Sequence, residues 1–553
     1  MSGFDFKKEL PQAFPRLDAK QIAVVAEFAE CKTYHDGDVL FVAGETDFKF
    51  QVIKSGAIKI VDRSSGEAHT ILTHEAGEFT GDLANLSGRS SHVDAIAVGE
   101  TDVYEVCEKE LHHIISERPA LSDLILQTFI IRANALEQND AFTGLRVIGT
   151  RFSTDTFRIR DFLSKNHVLY TYFDSQTNAE VGLLLKTFNL KETDLPVVGY
   201  GQDWLLRNPS NEEIAEKIGI KRKIADGATF DFLIVGAGPA GLAAAVYGAS
   251  EGLETIALDL IAAGGQAGTS SKIENYLGFP TGLSGTELAG RATIQAEKFG
   301  AELSIPSEVE RLDFADNLSV VHLKSGEKLR AKSLLIASGA DYRKLDVPGR
   351  EQFDGAGVYY AATQMESSLC GGDTVVVVGG GNSAGQACIF LAENARKVLL
   401  LIRGDDLGKN MSDYLVQRIL QTKNIELLTK SEITAMHGEG HLEAIEIKTD
   451  GTDKTRTTNV AGVFSFIGAT PRTAWLPKEI ELDTKGFVKT GMRIADSPQW
   501  TQKRPPFFLE TSRAGVFAAG DVRCDSVKRV ASAVGEGSMC VQFVHEYLKE
   551  LQT

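Results

Sequence analysis

Residues 232–245, Phe-Leu-Ile-Val-Gly-Ala-Gly-Pro-Ala-Gly-Leu-Ala-Ala-Ala, decide the fold of the C-terminal part of this 553-residue chain. An apolar strand runs directly into three glycines spaced as GxGxxG and then into an alanine-rich helix. In such a turn Gly236 allows the sharp bend, Gly238 lets the backbone approach a pyrophosphate, and Gly241 lets helix and strand pack closely. The stretch therefore predicts a dinucleotide-binding turn with phosphates at the helix N-terminus.

A carboxylate follows the next predicted strand. That strand, Glu254-Thr-Ile-Ala-Leu, ends just before Asp259. A carboxylate at this place accepts hydrogen bonds from a ribose in dinucleotide folds, so Asp259 completes the first nucleotide site.

A second turn of the same kind lies about 140 residues further on, in Thr374-Val-Val-Val-Val-Gly-Gly-Gly-Asn-Ser-Ala-Gly-Gln-Ala. Its register is Gly379, Gly381 and Ala384. The strand after it, Lys397-Val-Leu-Leu-Leu-Ile, ends in Arg403 instead of an acid. A guanidinium there can bind a 2′-phosphate, which favours NADPH over NADH, unless Arg403 is only a solvated cation at a strand end.

Two nucleotide sites in one chain predict electron transfer between two dinucleotides, FAD in the first site and a nicotinamide in the second. The end of the chain supports this prediction. A strand ends in Gly520-Asp521, where a carboxylate could take a ribityl hydroxyl, and a helix begins near Ala531. The N–H groups of that helix start could stabilise a reduced flavin anion.

Composition excludes several other classes of protein. Lys and Arg number 58 against 75 Asp and Glu, a net charge of −17, which argues against binding to nucleic acid. Six cysteines cannot form a disulfide framework in a chain of this length. The N-terminus lacks the apolar core of a signal peptide, and no apolar run has the length of a membrane span. We therefore expect a cytoplasmic, multidomain protein without a membrane partner.

Residues 227–553 resemble low-molecular-weight thioredoxin reductases. The resemblance is carried by Gly264-Gly-Gln, Glu274-Asn, Gly278-Phe-Pro, Ala337-Ser-Gly-Ala, Gly520-Asp-Val-Arg and Arg529-Val-Ala. It implies an FAD domain split over 227–345 and 461–553, an NAD(P)H domain at 346–460 that rotates to alternate access to the flavin, and a homodimer.

Motif and resemblance together predict two sets of cofactor-binding residues. For FAD the set is Gly236, Gly238, Pro239, Ala240, Gly241, Asp259, Gly265, Gln266, Asn275, Gly339, Gly520, Asp521, Arg529, Val530 and Ala531. For NADPH it is Gly379, Gly381, Asn382, Ser383, Ala384, Arg403 and Lys409. The family has His-Arg-Arg near the 2′-phosphate where this chain has Ile402-Arg403-Gly404. With one of those cations left, NADH remains an alternative.

The redox-active CxxC of that family is missing here. The stretch that would carry it reads Gly357-Val-Tyr-Tyr-Ala-Ala-Thr-Gln, so Ala361 and Gln364 occupy the two cysteine positions. A methyl group and an amide cannot attack a disulfide. We expect Cys370 and Cys388 to be small buried hydrophobes, which leaves Cys524 as the thiol to test.

The N-terminal segment, residues 1–140, resembles a cyclic-nucleotide-binding β-roll. The resemblance lies in residues 79–93, whose Gly81, Asp82, Leu83, Arg89, Ser90 and Ser91 match a phosphate-binding cassette. Asp82 replaces the glutamate that binds the ribose. The segment either binds a cyclic nucleotide or is a ligand-free structural or dimerising roll. Its 13 basic and 24 acidic residues, a net charge of −11, exclude DNA as the partner.

Residues 141–226 resemble a thioredoxin- or glutaredoxin-like α/β unit. The active-site loop would fall in Arg151-Phe-Ser-Thr-Asp-Thr-Phe-Arg, which has no cysteine, and Leu195-Pro196 matches the family's Pro loop. This predicts a spacer or docking module. All three parts in this order resemble a bacterial family of cyclic-nucleotide-binding-domain thioredoxin reductase fusions.

The sequence thus predicts three folds in one chain: an N-terminal β-roll, a central thioredoxin-like unit and a C-terminal reductase of two Rossmann-type domains. The predicted activity is hydride transfer from NADPH to FAD, and then to a quinone, oxygen or an electron-carrier protein. Two alternatives remain. One is a thioredoxin-disulfide reductase that uses displaced or partner cysteines, and the other is a flavin sensor that responds to a nucleotide or to redox state.

Overall fold

A computed structural model describes residues 6–46, 48–63, 68–91, 93–138, 145–178, 181–187, 189–200, 204–222, 224–450 and 455–552. We divide them into the N-terminal module (6–138), the central module (145–222), the split module (224–345 and 466–552) and the inserted module (346–465). The predicted boundary between residues 140 and 141 lies outside the described residues. No helix within the described ranges is long and apolar enough to cross a membrane.

The N-terminal module is built on a five-stranded antiparallel sheet. A core around the rings of Phe50, Phe79 and Phe129, whose centroids lie between 5.4 and 6.4 Å apart, joins this sheet to the helices that follow it. The predicted helical stretch from Glu108 breaks in two because Pro119 disfavours helical geometry at the residue before it. The strands are Glu30–Tyr34, Val39–Phe41, Phe50–Asp62, His69–Glu75 and Asp94–Val106. The helices are Phe6–Glu9, Pro11–Ala13 (3-10), Ala19–Ala26, Ala84–Ser87, Glu108–Glu117 and Pro119–Gln138.

The central module is a four-stranded mixed sheet covered by helices. Its strands follow the order Thr171–Asp174, Leu145–Gly149, Val197–Tyr200 and Trp204–Arg207, and only the first pair is parallel. The Leu195–Pro196 peptide bond is cis. The helices are Thr154–Lys165, Val181–Thr187, Glu192–Asp194 (3-10) and Asn211–Lys217.

The split module carries a seven-stranded sheet with apolar cores on both faces. The strand that enters the first glycine turn pairs in parallel with a strand on each side. Two more parallel strands and two antiparallel strands complete the sheet. The strands are Thr229–Val235, Thr255–Leu258, Glu302–Ser304, Val309–Ala315, Leu318–Leu323, Lys328–Ile336 and Val516–Ala518. The helices are Pro239–Ser250, Gly265–Gly268, Gly285–Lys298, Gly491–Arg493 (3-10), Gly520–Val522 (3-10) and Val530–Glu550.

The inserted module repeats the arrangement on a smaller scale. A parallel five-stranded sheet runs in the order Val358–Tyr359, Gly462–Ser465, Thr374–Val378, Lys397–Leu401, Ile425–Leu428. A separate antiparallel sheet contains Ser431–His437, Ala444–Thr449 and Thr455–Asn459. The helices are Arg350–Phe353 (3-10), Gln364–Leu369, Asn382–Ala392 and Asp413–Gln421.

The two chain segments that join these modules pair with each other. Strand Ala340–Tyr342 leads out of the split module and pairs antiparallel with Ala469–Pro471, which leads back in. The sequence analysis placed residues 461–553 with the first sheet. However, Gly462–Ser465 pairs with Thr374–Val378 inside the inserted sheet, so the return comes after Ser465. The apolar Gly-Val-Phe-Ser run fits either sheet, because both are parallel and buried on two faces.

Candidate functional site: two glycine turns and their surroundings

Packing inside the chain requires two glycines of the first turn, between strand Thr229–Val235 and helix Pro239–Ser250. Gly236 has a φ of 108°, in the region that favours glycine. A Cβ on Gly236 would lie 2.2 Å from the carbonyl oxygen of Ala337, and a Cβ on Gly241 would lie 1.8 Å from the carbonyl oxygen of Gly236. Any side chain at either position would therefore displace the backbone.

Gly238 differs from those two glycines. A Cβ at Gly238 would meet only the Cα of Gly265, at 3.9 Å, so the chain does not fill the space beside it. Gly238 caps helix Pro239–Ser250 without a side-chain hydrogen bond. Pro239 takes the first helical position, where an N–H is dispensable, and Ala240 is buried beneath the turn. The helix start thus forms an open cradle with free N–H donors, which fits the pyrophosphate of a dinucleotide.

Asp259 holds this turn in place through backbone hydrogen bonds. Its Oδ2 accepts from the N–H of Ala237 at 2.8 Å, and its Oδ1 accepts from the N–H groups of Ile261 and Ala262 at 3.0 and 3.3 Å. Burial raises the pKa of the carboxyl, against the effect of these hydrogen bonds. A carboxylate has about four acceptor positions, so one remains for a ribose hydroxyl.

Four further predicted FAD contacts lie on the short helix Gly265–Gly268 and on loops. Gly265 has a φ of 52° and approaches Gly238, and the amide of Gln266 donates to the carbonyl of Ala340. Gly339 has a φ of 67° with open space where its side chain would lie. Asn275 is exposed and lies on a separate loop. The first three positions lie around the first turn, since Gly265 approaches Gly238 and Gln266 bonds to the residue after Gly339, whereas Asn275 makes no described contact with them.

A buried ion pair fixes the Gly520-Asp521 turn. Oε2 of Glu536 accepts from the N–H of Gly520 at 2.7 Å, and the same carboxylate pairs with the guanidinium of Arg523. Both side chains are about nine-tenths buried, at 10% and 11% exposure. Burial raises the pKa of the Asp521 carboxyl. Sequence analysis missed Glu536, because an acid in mid-helix gives no signal of a buried partner.

The start of the last helix is open. Arg529 caps helix Val530–Glu550 without a side-chain hydrogen bond, so the N–H groups of Val530 and Ala531 have no capping partner. Arg529 and Ala531 are exposed. The helix itself packs closely on Pro239–Ser250, since a Cβ on Gly537 would lie 2.0 Å from the carbonyl of Ala240. The two helix starts that would meet FAD are therefore held by one packing contact.

The second glycine turn has the same geometry. Gly379 has a φ of 142°, and a Cβ there would lie 2.5 Å from the carbonyl of Phe466. Gly381 caps helix Asn382–Ala392 and has open space beside it. Asn382 accepts a hydrogen bond from the N–H of Ser412 at 2.7 Å, and Ala384 is fully buried. No residue that the structure describes fills this second cradle either.

The cations predicted to read a 2′-phosphate differ in availability. The Arg403 side chain is 75% exposed, and its nearest acid is Glu432 at 4.0 Å. Lys409 is paired with Asp405 at 2.8 Å, so its charge is already compensated. Arg403 is therefore the better placed of the two.

A tyrosine joins the two halves of the reductase. The hydroxyl of Tyr342, on the outgoing crossover strand, lies 3.0 Å from Oγ of Ser383 in the second glycine turn. Burial raises the pKa of Tyr342, and Asp521 adds to that effect. The second turn therefore lies on the side of the split module that carries the predicted flavin residues.

None of the six cysteines forms a disulfide. Ala361 follows strand Val358–Tyr359 and Gln364 begins helix Gln364–Leu369, so both stand where the family's pair would. Cys370 and Cys388 are buried, and burial raises the pKa of the Cys370 thiol to about 12. Burial and neighbouring carboxyls also raise the pKa of Cys524. These thiols are poor nucleophiles at neutral pH.

The central module docks its cysteine-free loop beside those two positions. Arg151 donates to the carbonyl of Leu369 at 2.8 Å, and Oγ of Thr154 donates to the carbonyl of Asp354 at 3.0 Å. Phe157 packs on Tyr359, with ring centroids 5.6 Å apart. These contacts could not be predicted from sequence, because two of them are hydrogen bonds to backbone carbonyls, which every residue has.

The same module also contacts the split module. The side-chain amide of Asn166 donates to the carbonyl of Ile261 at 2.8 Å, and Ile261 packs against the central core. The central module therefore bridges the two halves of the reductase.

The structure divides the predicted phosphate cassette into two groups. Gly81, Asp82 and Ser91 line a cavity in the N-terminal module. Leu83 and Ser90 do not: Leu83 packs on the helical core, and Oγ of Ser90 donates to the carbonyl of Ile218 at 3.0 Å.

Arg89 is not among the residues that line that cavity either. It acts on the buried carboxyl of Glu297 in the split module, where it lowers a pKa that burial raises. Two of the residues expected to hold a cyclic phosphate thus interact with other modules, because Ile218 and Gly219 of the central module and helix Gly285–Lys298 pack against this end of the cassette.

Comparisons with known proteins agree with the two-turn architecture. The family model "Pyridine nucleotide-disulphide oxidoreductase" matches residues 230–537, and "Cyclic nucleotide-binding domain" matches residues 31–118. The chain belongs to the pyridine nucleotide-disulphide oxidoreductase family, so it is an oxidoreductase. More particularly, it combines a thioredoxin-reductase-like flavoprotein part with a cyclic-nucleotide-binding domain.

Its relatives match the C-terminal part of the chain. The thioredoxin reductase of Treponema pallidum is 33% identical over 324 residues, which cover 58% of this chain and 98% of that protein. The "34.2 kDa protein in rubredoxin operon" of Clostridium pasteurianum is 31% identical over 318 residues, or 58% of this chain and 97% of that protein.

Solved structures give the same result. Thioredoxin reductase of T. acidophilum matches with 30% identity and a TM-score of 0.52, covering 58% of this chain and 99% of its own. The Lactococcus lactis thioredoxin reductase in its FR conformation matches with 26% identity and a TM-score of 0.53, covering 58% and 99%. The predicted reductase architecture is thereby confirmed at the level of its fold.

Proposed function

We propose that this protein is an FAD-dependent NADPH oxidoreductase that delivers electrons to an acceptor other than a disulfide of its own. The observation that carries this proposal is the pair Ala361 and Gln364 at the cysteine positions, on a scaffold that keeps both open glycine cradles. The six cysteines are unpaired, which supports the same proposal.

The first cradle and its surroundings would hold FAD. The N–H groups at the start of helix Pro239–Ser250 would bind the pyrophosphate, Asp259 the adenosine ribose, and Asp521 a ribityl hydroxyl. Bound FAD would supply hydride acceptance from NADPH and onward electron transfer. The N-terminus of helix Val530–Glu550 would favour negative charge on the bound group.

The second cradle would hold NADPH, with Arg403 beside the 2′-phosphate. Its guanidinium is exposed and only loosely paired, so a phosphate can bind it without breaking a strong ion pair. Because only Arg403 stands where the resembling family has two arginines, NADH remains an alternative donor.

Arg403→Ala should cost about 1–3 kcal/mol of the preference for NADPH over NADH, since a charge-assisted hydrogen bond to the 2′-phosphate is lost. The measurement is the ratio of kcat/KM for the two donors with a fixed acceptor. Lys409→Ala is the matched control and should change the ratio less, because Asp405 already compensates that charge. An unchanged ratio in Arg403→Ala would place the preference elsewhere.

An electron-carrier protein is the acceptor we favour, with quinones and oxygen as the small-molecule alternatives. The similarity to a protein named for a rubredoxin operon supports a carrier. The alternative of a thioredoxin-disulfide reductase needs a thiol pair, and burial of Cys370 and Cys388 argues against one inside this chain.

Anaerobic titration with NADPH tests the proposal. A flavin-only protein should take up two electrons per FAD, whereas an enzyme with an additional redox-active disulfide should take up four. The flavin absorbance gives the endpoint. The Cys524→Ser variant should titrate identically to the wild type, and an endpoint of four electrons would overturn the proposal in favour of the disulfide reductase.

The central module, a thioredoxin-like unit in our interpretation, would act as a docking piece. Its contacts through Arg151, Thr154 and Asn166 reach both halves of the reductase, so we propose that it limits their relative movement. The N-terminal β-roll would be a regulatory sensor domain. A homodimer and a cytoplasmic location stay predictions.

A further inference from the structure

The cavity of the N-terminal module is lined by residues of the cassette and by many residues outside it. The cavity has a volume of about 90 Å³. Pockets for drug-sized molecules, among which a cyclic nucleotide counts, begin near ~300 Å³. An apolar protein cavity of ~150 Å³ takes up benzene. The space therefore suits a single aromatic ring more closely than a nucleotide.

The walls of the cavity are mainly apolar. Strands, loops and the N-terminal segment contribute aromatic and aliphatic side chains, which are Phe14, Phe41, Phe48, Ile60, Leu72 and Val93. Rings and branched carbons offer no partner for the hydroxyls of a sugar. They do offer dispersion contacts and edge-to-face packing to an aromatic ring.

One end of the cavity is polar. The guanidinium of Arg132 is partly buried and donates to the carbonyls of Ala13, Gly81 and Phe79 at 2.9, 2.6 and 3.1 Å. A guanidinium has five N–H donors, so two remain. Burial lowers the pKa of Arg132 to about 10, which still leaves it charged at neutral pH.

His74 and Asp82 complete the polar end of the cavity. His74 is 3% exposed, and its Nδ1 lies 3.3 Å from Oε2 of Glu78. Burial lowers the pKa of His74 to about 4, so the ring is neutral, and with Nδ1–H facing Glu78 its Nε2 can only accept. Asp82 uses Oδ1 to accept from the N–H of Ala84, which leaves Oδ2 as an acceptor.

This end therefore presents one donor group and two acceptors. A neutral hydroxyl satisfies both kinds at once, because it donates its proton to Asp82 or His74 and accepts from Arg132. A carboxylate or phosphate ligand would be attracted by Arg132 but repelled by Asp82, which lines the same cavity. An unsubstituted hydrocarbon ring would leave the polar groups unpaired.

We propose that this cavity is a binding site for a small one-ring aromatic alcohol, of the phenol class, and not for a cyclic nucleotide. The residues that a cyclic phosphate would need support this assignment, since Arg89 and Ser90 do not line the cavity and Ser90 bonds to Ile218 of the central module. The same arrangement connects the site to the reductase. Asp82 lies in the cavity, and Ser90, eight residues later, lies in the contact between modules.

Calorimetry with phenol as the probe tests the site on the full-length, flavin-loaded protein. We expect saturable binding of phenol, binding at least tenfold weaker for benzoate and cyclohexanol, and no heat with cyclic AMP or cyclic GMP. Asp82→Asn should weaken phenol binding about tenfold, because the amide nitrogen cannot accept the proton of the ligand.

A filling variant separates this cavity from any other place where phenol could bind. Leu72→Phe puts a ring into the space and should abolish the phenol heat, whereas Val39→Phe, on an exposed position of the same sheet, should not. Unfolding of both variants by circular dichroism checks that the module is intact. Equal phenol binding by Leu72→Phe and the wild type would overturn the proposal. So would cyclic nucleotide binding that Arg89→Ala removes.

Discussion

Gly238→Ala should yield a folded protein that is purified without flavin. The reason lies in the difference between the glycines of the first turn. A methyl group at Gly238 would meet nothing in the chain closer than 3.9 Å, and its φ of −70° suits alanine. The methyl group would instead occupy the open cradle beside the helix start, where we place the pyrophosphate. Loss of close backbone contacts to a charged group should cost about 2–3 kcal/mol, roughly a hundredfold in affinity.

The measurement is the ratio of flavin to protein absorbance after gel filtration, together with circular dichroism. Two matched substitutions make the result specific. Gly241→Ala should damage the fold itself, because its methyl group would lie 1.8 Å from the carbonyl of Gly236. Gly381→Ala, in the second cradle, should keep its flavin and lose affinity for the nicotinamide donor. Full flavin occupancy in Gly238→Ala would mean that the pyrophosphate lies elsewhere.

Much of the reductase could be predicted from sequence because its decisive features are local. A buried strand, a GxGxxG turn and a helix follow one another within fourteen residues, so period and glycine spacing together determine the geometry. The family comparison confirms that part of the prediction. The absence of the CxxC pair is likewise a property of four consecutive positions, 361–364.

The contacts between modules could not be predicted in this way. Arg151 and Asn166 donate to backbone carbonyls of another module, and a carbonyl is present at every residue of every sequence. The strand Gly462–Ser465 was assigned to the wrong sheet for a related reason. Its apolar run is compatible with any parallel sheet buried on both faces, and only the register with Thr374–Val378 decides between them.

The cassette shows the limit of reasoning from a motif. The sequence keeps the order of residue types that is typical of the cassette, but the packing of the fold determines which groups each side chain meets. The charge of Arg89 acts on the buried Glu297 of another module, and Arg132, 43 positions further along, donates to the carbonyls of Gly81 and Phe79 in the cassette. Nothing in residues 79–93 predicts that Arg132 will contact the carbonyls of the cassette.

Glu536→Ala should be the most destabilising single change in the reductase that leaves both cradles untouched. The carboxylate is buried, pairs with Arg523, and accepts from the N–H of Gly520. Removing it leaves the N–H of Gly520 without its acceptor and the guanidinium of Arg523 without a counter-charge, with only the carbonyl of Cys524 still accepting from it. Breaking one side of a buried pair costs about 3–5 kcal/mol. Because Gly520 precedes Asp521, the variant should also release flavin at a lower temperature.

The midpoint of thermal unfolding, followed by flavin fluorescence, should fall by about 10 °C. Glu308→Ala is the control, since Glu308 and Lys324 form a comparable pair at 3.0 Å on the surface, and exposed pairs contribute below ~1 kcal/mol. Arg523→Met combined with Glu536→Leu adds a sharper test, because replacing both charges by apolar groups should restore part of the loss. If the double variant is less stable than Glu536→Ala alone, the cost arises from lost hydrogen bonds to the Gly520 turn and not from an unpaired Arg523.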